Sequence, residues 1–288
     1  MFRTISLTSI ALLAFAGNSV LCRMAFTPAS SADIDPASFT AVRLISAVIV
    51  LFLILSFSSN KRERKAEGNG LAGAMLFVYA AAFSFAYTLL DTGTGALILF
   101  GSVQLSMILI AYFRGERLSG SEISGFLIAF AGLIYLILPG AGAPSLFGSI
   151  LMSISGAAWG VYSLRGKNST DALSDTFFNF LRTLPLVAVL LISGVIFGSL
   201  QLSAEGLLLA ALSGGIASGL GYTIWFLAAK RLNTSQSAAV QLLVPVIAAF
   251  FGLSLLDEAI TQRLVLSSLL ILGGVLLVVI TRGLAASH

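Results

Sequence analysis

The chain has 288 residues, of which 58% are hydrophobic and 10% charged, with a formal net charge of +4. Soluble domains carry about 25% charged residues, so a water-soluble globule is excluded, and lipid must be the solvent for most of the surface. The basic excess does not point to nucleic acid, because Lys and Arg fall in short gaps between apolar runs, where they report membrane topology.

A spanning helix needs about 20 apolar residues, within a range of about 17–25. Ten stretches meet this: 5–26, 36–58, 71–90, 95–113, 121–139, 145–164, 176–200, 206–229, 235–256 and 263–281. Their connections are short, so sequence neighbours are expected to run antiparallel. The opening MFRTISLTSIALLAFAG has a signal peptide's basic start and an Ala14-Phe15-Ala16 site. Apolarity continues to Phe26, however, and cleavage would leave an odd nine helices, so the stretch is read as a retained first span. With the N-terminus inside, twelve basic residues fall on the inner side, from Arg3 through the Lys61–Lys65 run to Arg282, against Arg263 alone outside. Arg23, Arg43 and Arg182 lie within helices. That bias places both termini in the cytoplasm of a bacterial inner membrane. The Lys61–Lys65 run either rests on anionic headgroups or is a topology signal alone.

The chain also repeats itself. Laying Glu116 over Glu258 puts Gly132 over Gly274. Ala86-Tyr87-Thr88 then pairs with Gly221-Tyr222-Thr223, Arg43 with Arg182, and Gly17-Asn18 with Trp159-Gly160. The matches map helices 1–5 onto helices 6–10. Because five is odd, the second half begins on the other side of the membrane. The expected fold is therefore all-α and integral to the membrane, ten transmembrane helices as two inverted five-helix repeats. Residues 1–140 and 141–288 would form the halves of a single transporter domain. Inverted repeats are a common plan of secondary transporters, which bind substrate near the midplane between the halves.

The stretch VPVIAAFFGLSLLDEAITQRLVLSSLLILGGVLLV resembles the closing helix pair of the EamA-type drug/metabolite transporter superfamily, with Pro-Val in the ninth helix, Glu after the turn and a Gly pair in the tenth. FTAVRLISA, residues 39–47, is similar to the family's second-helix pattern, with Arg43 at its arginine. The resemblance covers essentially the whole chain. It implies a ten-helix exporter of amino acids or other metabolites, and bacterial aromatic amino acid exporters are among the proteins it resembles. The first half departs from the pattern, since Val103-Gln104 stands where the second half has Pro245-Val246.

Polar and aromatic residues inside spans are the candidates for transport. Asn18, Gln104 and Gln241 are amides able to hold a zwitterion without a fixed charge; the alternative is bonding between helices. Tyr79, Phe83 and Tyr87 recur at i, i+4 and i+8, a stripe that either walls a cavity or packs against a neighbour. Trp159, Tyr222 and Trp225 either line the path or form an interfacial belt near the cytoplasmic end. Tyr87 and Tyr222, at matched positions, are expected to close opposite ends in turn. Pro245 serves as a hinge or merely kinks helix 9. Arg43 and Arg182, about two turns from a face, are assigned structural or gating ion pairs, Arg43 with Asp33, Asp35 or Asp91 and Arg182 with Asp171, Asp175 or Glu116; the alternative is a direct role in binding a substrate carboxylate. Gly156, Gly160, Gly215 and Gly219 have the spacing of close helix packing.

No cofactor or metal is expected, because the one cysteine, Cys22, and the one histidine, His288, make no ligand cluster. Arg165-Gly166-Lys167-Asn168 lacks a Walker A hydroxyl, so the chain is not expected to use ATP. No helix centre holds an acid, which favours facilitated passage over strict proton antiport. The expected partners are an amino-acid substrate and membrane lipid, with no nucleic acid, and the protein is expected to be a monomer. The competing readings are a proton-coupled carrier of another metabolite or drug, a membrane enzyme, and a scaffold subunit.

Overall fold

A computed structural model describes residues 2–27, 32–57, 68–115, 117–166, 169–232 and 234–285. The Lys61–Lys65 run, Glu116, Lys167, Asn168 and His288 lie outside the described residues. Ten helices among the described residues are long and apolar enough to cross a membrane. They are α1 (Arg3–Phe26), α2 (Pro36–Phe57), α3 (Gly70–Tyr87), α4 (Thr92–Phe113), α5 (Gly120–Ile137), α6 (Leu146–Gly166), α7 (Ala172–Ile196), α8 (Ala204–Ala229), α9 (Gln236–Leu256) and α10 (Gln262–Thr281). The expected spans match these within a few residues.

Polar residues at the connections set where the helices begin. Asp35 accepts from the backbone N–H groups of Ala37 and Ser38 at 2.9 and 3.0 Å, and Pro36 fills the first helical position of α2, where no N–H is needed. Asn69, Asp171 and Ser203 cap α3, α7 and α8 in the same way, and Ser119 with Glu122 forms a capping box on α5. Asp257 ends α9 in the left-handed region, at φ 52°. Asp tolerates that conformation better than most side chains, and the turn brings Glu258 back toward the protein.

Three spans are interrupted. α7 breaks around Arg182 and Thr183, just before Pro185. α9 breaks at Leu242, where Pro245 has no N–H to give the Gln241 carbonyl. α8 winds as a π-helix over Ser213–Leu220.

Helix contacts exchange between the halves. α6 packs on α3 and α4, while α1 packs on α8 and α9. α2 packs on α8, while α7 packs on α3. α5 and α10 pack on each other along their length. Each contact maps onto its counterpart when helices 1–5 and 6–10 are swapped. That is the pattern of two inverted five-helix repeats.

Small residues let these contacts close. A Cβ on Gly125 would lie 2.6 Å from the Gly274 carbonyl, and one on Gly274 would lie 2.5 Å from the Gly125 carbonyl. Gly156 and Gly160 bring α6 against Leu99, Ser102 and Ser106 of α4, and Gly215 brings α8 against Val50 of α2. Gly214 abuts the Arg43 carbonyl so closely that no side chain would fit. Outside, exposed Phe57, Phe113, Leu127, Phe147 and Phe250 present an apolar perimeter. The core gathers where α1, α2, α3, α4, α6 and α8 meet.

Candidate functional site

The centre of the bundle is organised around Arg43, which is 1% exposed. Its Nε donates to Ser218 Oγ at 3.1 Å. Its Nη2 donates to the hydroxyls of Tyr79 at 3.1 Å and Tyr222 at 2.9 Å. Tyr222 donates in turn to the Tyr79 oxygen at 3.0 Å, which also accepts from Asn18 Nδ2 at 3.2 Å. Asn18 Oδ1 accepts from Ser213 Oγ at 2.6 Å. One connected network thus ties α1, α2, α3 and α8 together.

Local structure explains why these side chains converge. Tyr79 and Phe83 lie one helical turn apart on α3, and the Arg43 guanidinium sits 5.1 and 4.8 Å from their ring centroids. Ser213 and Ser218 are five residues apart, which on an α-helix would turn them about 140° from each other. The π-helical winding of this stretch, with its i to i+5 repeat, brings both onto the network. Rings enclose the polar group. Trp159 lies 4.6 Å from Tyr222 and 5.0 Å from Tyr79, while Phe15 lies 5.6 Å from Trp159 and 5.7 Å from Trp225. Phe180 stacks on Tyr222 at 5.9 Å. The space left among Phe15, Tyr79, Phe83, Leu99, Phe100 and Trp159 is only about 10 Å³, room for about one water. The cage is therefore closed around itself.

Further contacts flank the cage on both sides. At the face that carries the α3–α4 and α9–α10 turns, Arg23 of α1 donates to Glu258 Oε1 at 3.1 Å, Asp91 Oδ1 at 3.0 Å and the Tyr87 carbonyl at 3.1 Å. Glu258 also accepts from the Thr92 backbone N–H at 2.8 Å and from its hydroxyl at 3.1 Å. Burial pushes the Glu258 carboxyl above its ordinary range, and neighbouring Asp91 adds to this, against the pull of the Thr92 and Arg23 donors. Toward the other, basic face, Tyr162 meets Phe226 at 5.8 Å, and Phe226 abuts Gly166. A separate apolar groove of about 700 Å³ opens sideways between α4, α9 and α10, past Pro245 and Gly273.

Of the residues singled out in the sequence, Asn18, Arg43, Tyr79, Phe83, Trp159 and Tyr222 come together at this centre. Trp225 stands one ring further out, against Phe15. Trp159, Tyr222 and Trp225 are buried at 1–3% exposure, so they are not an interfacial belt. Tyr87 lies at the Arg23–Glu258 seal, its hydroxyl 3.3 Å from the Thr92 carbonyl. Gln104 is buried in α4 with its Nε2 unpartnered, and Gln241 Nε2 folds back onto the Ser237 carbonyl at the α9 break; neither bonds to the Arg43 network. Pro245 sits just past that break.

The ion pairs expected of Arg43 do not form. Asp35 is occupied in capping α2 and bonding Gln201, Asp91 pairs with Arg23, and the described partners of Arg43 are hydroxyls. The reason is direction: Arg43 lies on the inward face of α2, so its side chain reaches tyrosines rather than a membrane surface. Arg182 is not its structural twin. It is exposed at the α7 break, donating to the Phe178 carbonyl at 3.3 Å. Arg23, Glu258, Thr92, Ser213, Ser218 and Phe15 were not singled out as site residues. For Glu258 a signal existed, since the acid that anchors the repeat stands beside a turn facing an in-helix arginine.

Two inverted halves that meet on a buried polar centre are the plan of a membrane transporter of small solutes. Comparison with known proteins narrows the class. The EamA-like transporter family model matches residues 2–138 and again 146–280, and the chain belongs to that family. It is 48% identical over 280 residues to the uncharacterized protein PA1977 of Pseudomonas aeruginosa, covering 97% of this chain and 96% of that one. It is 27% identical over 126 residues to the uncharacterized transporter YoaV of Bacillus subtilis, covering 42% of this chain and 43% of that one. A solved crystal structure superposes with a TM-score of 0.65 at 20% identity, over 96% of this chain and 98% of that one, and supports the fold.

Proposed function

We propose that the protein exports small organic solutes that carry a carboxylate on a flat apolar body, aromatic and other neutral amino acids among them. It does so by alternating access, without ATP, as a monomer in a bacterial inner membrane with both termini in the cytoplasm. The observation that carries this reading is an arginine, the one buried arginine among the described residues, held inside an aromatic cage between the two halves. An arginine fork suits a carboxylate, and rings on every side suit a planar apolar body. The space among Phe15, Tyr79, Phe83, Leu99, Phe100 and Trp159 is about 10 Å³, so in this scheme substrate enters when the helices part. In this scheme Tyr87 moves with the Arg23–Glu258 seal, Tyr222 and Trp225 move with the α8 side of the cage, and the Pro245 break lets α9 bend.

The test is counterflow in proteoliposomes. Labelled phenylalanine or tryptophan should exchange across the membrane without ATP or a pH gradient, and Arg43→Gln should abolish the exchange. Failure of every carboxylate-bearing solute to exchange would contradict the substrate reading.

A second reading, proton-coupled carriage, draws support from one feature. Glu258 is a half-buried acid, pushed above its ordinary pKa, at a closure point. Uphill accumulation driven by a pH gradient, lost in Glu258→Gln, would favour it over facilitated passage.

A further inference from the structure

The side-chain nitrogens of the cage all donate, and two of them have nothing to donate to. Arg43 spends Nε and Nη2 on Ser218, Tyr79 and Tyr222, and its Nη1 has no acceptor. Trp159 Nε1 has none either. Both residues are at most 2% exposed. Both lean on the Tyr79 ring, with the guanidinium carbon 5.1 Å and the indole ring 5.0 Å from its centroid. A buried donor without an acceptor carries its full desolvation penalty, and a buried cation without a counter-charge carries a larger one.

The described residues do not supply that counter-charge. Among the described residues, no acidic side chain lies deeper than the first turn of a span; Glu122, Asp175 and Glu205 come nearest, each at a helix start. The one amide acceptor in the network, Asn18 Oδ1, is taken by Ser213. An incoming ammonium group would therefore join a site that already holds one uncompensated positive charge. It would find only phenol oxygens and ring faces. An incoming carboxylate would meet two waiting N–H groups and the cation itself.

We propose that this site selects an aryl or other flat apolar monocarboxylate that carries no amino group, in preference to the corresponding amino acid, and that it rejects the corresponding amine. The proposal rests on the cage being the transport site. It narrows the substrate class to solutes that reach the cage with a net charge of −1. Arg43 Nη1 and Trp159 Nε1 are the open donors to which such a carboxylate would turn, while the body lies among Phe15, Phe83 and Trp159.

The full-length protein in lipid nanodiscs can be titrated at neutral pH with 3-phenylpropionate, phenylalanine and phenethylamine, which differ only in the charged groups they carry. The acid should bind at least about tenfold tighter than the amino acid, a difference of about one decade in Kd, and the amine should not bind measurably. Trp159→Phe keeps a ring and removes the N–H. It should weaken the acid severalfold while leaving thermal unfolding close to that of the parent, so the test survives even if Arg43→Gln fails to fold. Equal or tighter binding of phenylalanine or phenethylamine overturns the selectivity while leaving the cage as the site. If none of the three binds, or Trp159→Phe changes no affinity, the cage reading fails and the proposal fails with it.

Discussion

At the scale of single residues, the fate of Arg43 is set by what surrounds it. It stands eight residues into α2, about 10 Å along the helix axis, a depth from which a lipid-facing arginine would reach the headgroups. It instead faces inward, and three hydroxyls hold it at the centre. Each hydrogen bond to a charged group is worth about 1.5–3 kcal/mol. Arg43→Gln is therefore expected to reduce counterflow by more than about tenfold. Arg43→Lys is expected to restore little of it, because an ammonium cannot reproduce a planar fork that bonds in three directions. Tyr222→Phe, which leaves the ring in place and removes one acceptor, should fall between the parent and Arg43→Gln in the same assay. Activity of Arg43→Lys equal to the parent would show that charge alone matters there. The aromatic members of the site were legible as an i, i+4 stripe and as matched repeat positions. A direct role for the arginine stood only as the alternative to ion pairing, because Tyr79, Ser218 and Tyr222 lie 36, 175 and 179 residues from it in sequence, and depth within a helix does not reveal which face a residue occupies.

At the scale of elements, two contacts govern how the halves meet. The first is the α5–α10 seam. Gly273 and Gly274 are neighbours in sequence but not in surroundings: a Cβ on Gly273 would meet nothing within 4 Å, while one on Gly274 would strike Gly125 and Ala129. Gly274→Ala is expected to lower stability by about 1–3 kcal/mol through overpacking. Gly273→Ala should be neutral or stabilising by up to about 1 kcal/mol through helix propensity. Thermal unfolding in a single detergent separates the two. The second contact is the Arg23–Glu258 seal. Its Glu258 carboxyl is raised by burial, so the closed seal binds a proton more tightly than an opened, hydrated one. In the window between the ordinary carboxylate pKa and the raised value, the closed form thus holds more protons and is favoured as pH falls; rising pH favours opening. Labelling of a cysteine placed at Thr94, just inside the seal, should speed up as pH rises through that window, and Glu258→Gln should flatten the dependence. Acceleration on acidification would reverse the sign and refute the scheme. Sequence made the α9 break visible through Pro245. It gave no sign of the π-helical turn of α8, because Ser213–Leu220 is a plain run of small and apolar residues whose winding is decided by the Asn18 and Arg43 groups it bonds.

For the whole molecule, the ten spans, their antiparallel order and their doubling were legible, because bilayer thickness fixes helix length and short connections fix neighbours. The inverted pairing of α1 with α8 and α6 with α3 follows from that doubling. What the sequence hid was how the middle is filled. The sequence offered amides able to hold a zwitterion without a fixed charge. The structure has instead a closed aromatic cage with a cation at its heart, since a charge in the middle of the chain's fold shows only when helices distant in sequence come together. On the proposed reading, its occupant arrives by separation of the halves, first at one face and then at the other. The most direct measurement is counterflow of a labelled aromatic carboxylate through reconstituted parent protein and Arg43→Gln, with no ATP and no ion gradient. Saturable exchange by the parent, lost in the variant although the variant folds, is the expected result. Exchange that survives in Arg43→Gln at the parent's rate would place the transport path elsewhere and contradict a central site built on Arg43.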